Sequence, residues 1–468
     1  MRVLHRAPAM GRVRRIHFVG VGGVGMGGIA EVLVNLGYEV SGSDMRVNAM
    51  TERLAKLGVV IYRGHRAEYA ARADVLVTSA AIPTDNPEIA HARERQVPVV
   101  ARAQMLAELM RFRYGVAVAG THGKTTTTSL VASLLTEGNL DPTFVIGGRL
   151  IGAGTNAKLG ESDYLVAEAD ESDASFLHLN PIVAIVTNVD QDHMETYGGE
   201  PERLYQTFVE FLHNLPFYGL AVLCHDDPGV QVVRERVSRP VISYGFNEAA
   251  DYRAVNVSQR GPRMSFEIMS PGLSGAVPVE LNLAGRHNVL NALAAVAVAR
   301  ELDVGYAAIA RGLRRFEGIG RRFQIYGEVS IANHQVLLVD DYGHHPREVE
   351  ATVRAARASW PQRRLVVAFQ LHRYSRTRDL FEDFALVLSE LDVLLLLDVY
   401  AAGEQPIAGA DGRALARAIR NRGRVDPVFV TGPQALPKAL AGILNDGDVL
   451  LLLGAGSIGA VAPRLVAG

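Results

Sequence analysis

Short apolar runs alternate with amphipathic stretches along most of the chain. Ile16-His17-Phe18-Val19 lies in a run, 15–20, that reads as a buried strand, and 26–36 reads as a helix packed behind it. Val40 and Ser41 lead into a second strand ending at Asp44, followed by a helix at 49–57 and strands at 58–61 and 74–78. Strands alternating with helices predict a parallel, doubly wound α/β sheet, and this unit closes near residue 111. A strand at 114–119 opens a second unit with helices at 124–136 and 201–214 and strands at 164–167, 182–187 and 219–224. Short alternating segments between 241 and 283 predict an antiparallel β insert, and the Ala-rich stretch 288–300 closes the unit as a helix. A third α/β unit begins after Gly318 and Gly320, with strands at 323–326, 336–340, 364–369, 392–397, 427–430 and 449–453. Its helix 346–359 opens on Pro346, a residue suited to a first helical turn. The first ten residues read as a ragged extension.

Composition narrows the function classes. The 468 residues are 48 % hydrophobic and 21 % charged with a formal net charge of −2, which suits a folded protein and argues against a nucleic-acid coat. A single cysteine, Cys224, excludes an internal disulfide framework and a cysteine-based metal cluster. No apolar run approaches the length of a membrane span, and the N-terminus lacks an apolar signal core. The expectation is a cytoplasmic enzyme without stable membrane insertion or a nucleic-acid partner, acting as a monomer or weak homodimer.

Two glycine-rich loops carry the first chemistry. Gly20-Val21-Gly22-Gly23-Val24-Gly25 joins a strand to a helix, and Gly20, Gly22 and Gly25 fit G-x-G-x-x-G. Such a loop lets backbone amides approach a diphosphate at the helix N-terminus, and Asp44 stands where a carboxylate could accept ribose hydroxyls. The fingerprint alone does not choose between NAD, FAD and a nucleotide sugar. Gly120-Thr121-His122-Gly123-Lys124-Thr125-Thr126 follows strand 114–119 and opens a helix. It is two residues shorter than the usual Walker A spacing, yet its backbone can wrap ATP phosphates, Lys124 can neutralise them and the Thr125 hydroxyl can ligate Mg²⁺.

Acidic and basic clusters follow other strands. Glu168-Ala169-Asp170-Glu171-Ser172-Asp173 sets four acids in six residues, a repulsion that a metal–phosphate site would relieve. Thr187-Asn188-Val189-Asp190-Gln191-Asp192-His193 ends the next strand with oxygen and imidazole groups. His287 and Asn288, after Gly285-Arg286, either cap a helix or reach an adenine ring. Arg321 and Arg322 could hold phosphate, and the groups in Asp340-Asp341-Tyr342-Gly343-His344-His345 and His372-Arg373-Tyr374-Ser375-Arg376 stand at strand ends where α/β proteins bind ligands. No spacing matches a standard zinc motif.

Taken together, these motifs resemble the Mur ligases, which add amino acids or peptides to nucleotide-linked muramic acid. The similar stretches run in family order: Gly20–Glu31, Gly120–Thr127, Glu168–Phe176, Thr187–His193 with Tyr197, Gly285–Asn288, Gly320–Phe323, Asp340–Glu348, Gln370–Thr377 and Ala401–Glu404. One departure is Leu371, where the family pattern has proline. The resemblance implies a Rossmann-like N-terminal domain (1–111) for the UDP-sugar, a P-loop ATPase-like central domain (112–318) for ATP, and a Rossmann-like C-terminal domain (319–468) that helps bind ATP and the amino acid. It implies ligation of L-alanine to UDP-N-acetylmuramate, with Gly20, Gly22, Gly23, Gly25 and Asp44 binding the nucleotide sugar. Gly120, Thr121, His122, Gly123, Lys124, Thr125, Thr126, His287, Asn288 and Asp340 would bind ATP. Thr125, Glu168 and His193 would hold Mg²⁺, with Mn²⁺ as an alternative ion. Lys124, His193, Arg321, His344, His372 and Arg373 would serve catalysis. The alternatives are a ligase that attaches a preformed tripeptide to the same nucleotide sugar, a nicotinamide-dependent dehydrogenase and a non-catalytic nucleotide-sugar sensor. Chain length and motif spelling favour alanine addition. The dehydrogenase leaves the second glycine loop and the acidic run unexplained.

Overall fold

The computed structural model describes residues 10–467. The extension expected over the first ten residues therefore lies, apart from Met10, outside the described ones. The N-terminal domain contains β1 (Arg15–Val19), α1 (Val24–Asn35), β2 (Glu39–Asp44), α2 (Ala49–Lys56), β3 (Val60–Arg63), β4 (Val75–Thr78), α3 (Pro87–Glu94), β5 (Val99–Ala101) and α4 (Arg102–Arg111). Its five strands are parallel in the order β3-β2-β1-β4-β5, so the winding reverses between β1 and β4, directly beneath the first glycine loop.

The central domain follows with β6 (Tyr114–Ala119), α5 (Lys124–Glu137), β7 (Thr143–Leu150), β8 (Thr155–Lys158), β9 (Tyr164–Glu168), β10 (Val183–Val186), α6 (Pro201–His213), β11 (Leu220–Cys224), α7 (Pro228–Arg234), β12 (Val241–Gly245), β13 (Tyr252–Arg260), β14 (Arg263–Met269), β15 (Val277–Leu281), α8 (Arg286–Glu301) and α9 (Tyr306–Arg315). These strands form one sheet in the order β15-β14-β13-β12-β11-β10-β6-β9-β7-β8. Val183–Val186 and Leu220–Cys224 are buried throughout, as strands covered on both faces must be. The antiparallel insert expected over 241–283 is corrected at its start: β12 pairs parallel with both β11 and β13 and belongs to the main sheet. The alternation is clear only further on, in β14, which buries Met264, Phe266 and Ile268 in turn; β13 buries Tyr252 and Ala254 and then runs partly to fully exposed.

The C-terminal domain contains β16 (Gln324–Ile331), β17 (His334–Asp341), α10 (Pro346–Ser359), β18 (Leu365–His372), α11 (Tyr374–Asp379), α12 (Phe381–Leu388), β19 (Val393–Tyr400), α13 (Gly412–Asn421), β20 (Val428–Val430), α14 (Leu436–Leu440), β21 (Val449–Leu453) and α15 (Val461–Ala467). The sheet order is β16-β17-β21-β18-β19-β20, with β16 antiparallel. Two apolar clusters, one containing Val339, Val367 and Leu451 and the other Leu338, Val366 and Leu450, fill its two faces. By internal contacts the chain divides into two compact units: the first two domains form one, and 317–468 with 256–266 and 280–289 forms the other. No described helix is long and apolar enough to cross a membrane.

Candidate active site

Strand register explains why three polar loops of the central domain meet. Residue Ala119 of β6 pairs with Val186 of β10 on one side, and Val118 pairs with Glu168 of β9 on the other. The loops that leave these strands therefore emerge along one edge. The loop 120–123 is held from behind by the one after β10. Thr121 N–H donates to the Asn188 carbonyl at 3.1 Å. His122 N–H donates to Asn188 Oδ1 at 2.8 Å, and Thr187 Oγ1 donates to the His122 carbonyl at 2.6 Å. The His122 ring, expected among the nucleotide contacts, lies 3.1 Å from Asp190 Oδ2. It is part of this brace, because its loop is turned towards β10.

Lys124 opens α5. Its ammonium donates to the carbonyls of Gly120 (2.7 Å) and Thr121 (3.0 Å) and to Glu171 Oε1 (2.9 Å). Burial works against the charged ammonium, but Glu171, Asp170 and Glu168 outweigh it and raise its pKa. The carboxyl of Glu171 is pushed up to about 7 by burial, against the pull of Lys124. Its Oε2 is buried without a hydrogen-bond partner, and the Tyr197 hydroxyl donates to its backbone carbonyl. Thr125 and Thr126 are buried in the first turn of α5. Glu168 Oε1 accepts the Gly147 N–H at 2.9 Å. His193, at φ +55°, has Nε2 3.5 Å from Asp192 Oδ2. Clustered acids with an unsatisfied oxygen, beside a helix-start hydroxyl and an ammonium, are a donor set that suits Mg²⁺ and phosphate.

Two residues of this edge escaped the sequence reading. Glu171 is one of four acids with no distinguishing mark, although among the described residues it is the carboxylate that bonds Lys124. Asn291 receives the Thr127 hydroxyl at 3.2 Å. Its signal was an asparagine three residues after Asn288, on one face of an otherwise apolar helix.

In the first loop, Gly20 and Val21 N–H donate to the Ser43 carbonyl at 2.8 and 3.0 Å. Asp44 Oδ2 accepts the Gly22 N–H at 2.9 Å, and Oδ1 accepts that of Arg46 at 3.0 Å. The carboxylate expected to meet ribose thus braces the glycine turn. Gly23 is the N-cap of α1 and its N–H donates to the Gly20 carbonyl at 3.3 Å, and Gly25 lies in the first turn.

In the C-terminal unit the structure brings His344 and His372 together, with ring centroids 5.5 Å apart. His372 stacks on Tyr400 at 5.6 Å and meets Arg376 Nη1 at 3.3 Å. Arg373, at φ +69°, donates its N–H to the Tyr400 carbonyl at 2.9 Å. Leu371 is fully buried in the core, so the residue replacing proline continues β18 as far as His372. Asn288 Nδ2 donates to the Ala284 carbonyl at 2.8 Å, an engagement of the capping kind, while His287 is exposed.

Arg321 and Asp340 pair with each other. Asp340, expected to touch ATP, is fully buried at the end of β17 and accepts from Arg321 Nε at 3.3 Å. Arg321 also donates to the Gly454 carbonyl and lies over the Tyr342 ring at 5.0 Å. The pair braces the loops above the sheet. Burial pushes the Asp340 carboxyl up from 3.8 to about 6, against the pull of Arg321. Between about 4 and 6 the folded chain therefore keeps a proton that the unfolded chain has released, and this residue's contribution to stability falls as pH rises through that window. Asp340→Asn should flatten the Tm-against-pH curve there. Superimposable curves for the two proteins would show that the carboxyl does not titrate in this way.

Three family models match the chain in order: Mur ligase family catalytic domain over 15–114, Mur ligase middle domain over 118–299, and Mur ligase glutamate ligase domain over 321–456. The structure is similar to UDP-N-acetylmuramate-alanine ligase MurC from Thermotoga maritima, with 29 % identity and a TM-score of 0.82 over 97 % of this chain and 98 % of that one. A murein peptide ligase from Psychrobacter arcticus matches with 24 % identity and a TM-score of 0.72 over 97 % and 98 % of the two chains. A UDP-N-acetylmuramate:L-alanyl-γ-D-glutamyl-meso-diaminopimelate ligase from Neisseria meningitides matches with 29 % identity and a TM-score of 0.60, over 66 % of this chain and all of that one (100 %). With the glycine loop of each of the first two domains, the acidic edge beside Lys124 and three consecutive domain matches in agreement, the chain belongs to the Mur ligase family.

Proposed function

We propose that this chain joins the amine of L-alanine to the lactyl carboxylate of UDP-N-acetylmuramate, with ATP becoming ADP and phosphate. The observation that carries the choice of amino acid is the full-length likeness to the Thermotoga alanine ligase, at 29 % identity and a TM-score of 0.82. A tripeptide-adding activity is the second reading, favoured by the two peptide ligases that also match. In the proposal, the domain over 1–111 holds the nucleotide sugar, that over 112–318 holds ATP, and that over 319–468 serves ATP and alanine.

A carboxylate is a poor acyl donor, so its oxygen attacks the γ phosphorus of ATP and ADP leaves. The alanine amine then attacks the acyl phosphate carbonyl, and the tetrahedral intermediate expels phosphate. No serine or cysteine nucleophile is needed. Lys124, released from Glu171, stabilises charge on the transferring phosphoryl group. Thr125, Glu168 and His193 would hold Mg²⁺, which would supply charge neutralisation for the reacting anions. His344, His372 and Arg373 offer cationic or donor groups for the amino-acid carboxylate, and Arg321 positions their domain's loops from beneath.

The test is ADP release with UDP-N-acetylmuramate, Mg²⁺ and either L-alanine or the tripeptide, with the product weighed by mass spectrometry. Alanine is expected to give turnover and a product heavier by one alanyl residue. Turnover with tripeptide alone would replace this reading with the second, and no ADP from either would reject both.

A further inference from the structure

We propose that the Tyr197 hydroxyl, seconded by that of Thr196, is a positioning group that sets the spacing of two metal-side loops and so favours Mg²⁺ over larger divalent ions. The inference rests on the function proposed above, which gives Glu168 on one loop and His193 on the other the role of metal ligands. Glu168 is the last residue of β9, and His193 lies in the loop that follows β10. In the sheet β6 stands between these two strands, so no ladder of backbone bonds joins β9 to β10. Two side chains join their loops instead. Thr196 Oγ1 donates to the Ser172 carbonyl at 2.6 Å, and the Tyr197 hydroxyl donates to the Glu171 carbonyl.

Both ends of this latch are fixed. His193, Thr196 and Tyr197 share one tight turn, in which the Thr196 N–H donates to the His193 carbonyl and the Tyr197 N–H to the Met194 carbonyl, each at 3.0 Å. On the acidic side, the Glu171 carbonyl also accepts the Ala174 N–H at 3.0 Å, and the buried Phe176 stacks on Phe211 of α6 with centroids 4.7 Å apart. Tyr197 itself is 3 % exposed, and burial, with the carboxylates of Glu171, Asp170 and Asp173 nearby, raises its pKa, so the hydroxyl stays a donor. A neutral hydroxyl that bridges two anchored segments passes on position rather than charge. Position decides between ions: Mg²⁺ needs near-octahedral ligands at about 2.0–2.1 Å, whereas Ca²⁺ takes longer and more flexible ligand sets. A slackened pair of loops therefore loses more Mg²⁺ binding than Ca²⁺ binding.

The test follows Mn²⁺ by its EPR signal, bound to the full chain with a non-hydrolysable ATP analogue and UDP-N-acetylmuramate and displaced by Mg²⁺ or Ca²⁺. Tyr197→Phe keeps the ring and leaves the Glu171 carbonyl its Ala174 partner, so the fold should persist, which thermal melting checks. The variant should lower the preference for Mg²⁺ over Ca²⁺ about threefold to tenfold, the scale of one lost hydrogen bond. Thr196→Val, at an exposed residue, should lower it less, and the double variant should lower it more than either. Equal loss of both ions in folded Tyr197→Phe would make the hydroxyl a structural bond with no influence on spacing, and it overturns the proposal, as do unchanged affinities. A wild type that binds no Mn²⁺ sinks the metal assignment and the inference together, whereas a failure seen only in the variants leaves the proposed function standing.

Discussion

Lys124→Ala should lower the ligation rate by about 10²–10³-fold or more, the range seen when one preorganised charge-stabilising donor is lost, while affinity for the nucleotide sugar stays within about twofold of wild type. The ammonium is the one cation in bonding contact with the loop carbonyls of Gly120 and Thr121 among the described residues, and the loop assigned to the sugar nucleotide lies in another domain. ADP release measures the first half and calorimetry the second. The same substitution leaves the buried Glu171 without its cation, so thermal melting belongs in the experiment. Because the raised Glu171 pKa lets that carboxyl take up a proton near neutrality, the fold should survive. Near-normal turnover would remove Lys124 from the phosphate site.

A larger structural effect is expected from Gly120→Ala. Gly120 has φ +126°, a conformation that costs an L-residue on the order of 1–3 kcal/mol. An added Cβ would also lie 2.1 Å from Thr187 Oγ1 and 2.9 Å from Thr187 N. The neighbour cannot yield cheaply, since Thr187 Oγ1 bonds the Ala119 and His122 carbonyls that anchor the loop. The variant should lose ATP-analogue binding and melt several degrees lower. Gly37→Ala is the control: φ is +93°, but nothing lies within 4 Å of the added carbon, so it should cost stability alone and leave nucleotide binding intact. Equal effects at both positions would show that backbone strain, not the crowding against Thr187, sets the outcome.

Much of the fold could be read from apolar runs because the central strands of each sheet are parallel and covered on both faces. The strands beginning at Tyr114 and ending at Leu453 stand out for that reason. What escaped were mostly elements whose signal is polar. Helix α3 starts at Asn86, which accepts the Glu88 N–H, and at Pro87; α7 starts at Asp227, which accepts the Val230 N–H, and at Pro228. Both carry a cap followed by proline, a start signal that short apolar content obscured. The hairpin β7–β8 contains Gly147 and Gly148 and carries no expected element in the sequence reading, yet Gly147 supplies the N–H that holds Glu168. Within the site, residue types at strand ends were legible, and side-chain orientation was not. Asp44, His122 and Asp340 are in the expected loops but turn towards the protein, because sequence spacing does not say which backbone amide or arginine will reach a carboxylate first.

One packing contact bears on how the chain can be dissected. Helix α1 rests its Gly28 side on the β7–β8 hairpin, where an added Cβ would meet Asn156 and Ala157 at 3.0 and 3.1 Å, and Asn156 Nδ2 donates to the Val24 carbonyl at 2.9 Å. The helix that presents the first glycine loop is therefore roofed by residues encoded more than a hundred positions later. A fragment cut between Arg111 and Tyr114 would retain every strand of the first sheet but strip the cover from α1, baring the apolar side of that helix to water and freeing its first turn. The glycine-loop end of the first domain is finished only once synthesis has carried the chain past the β7–β8 hairpin.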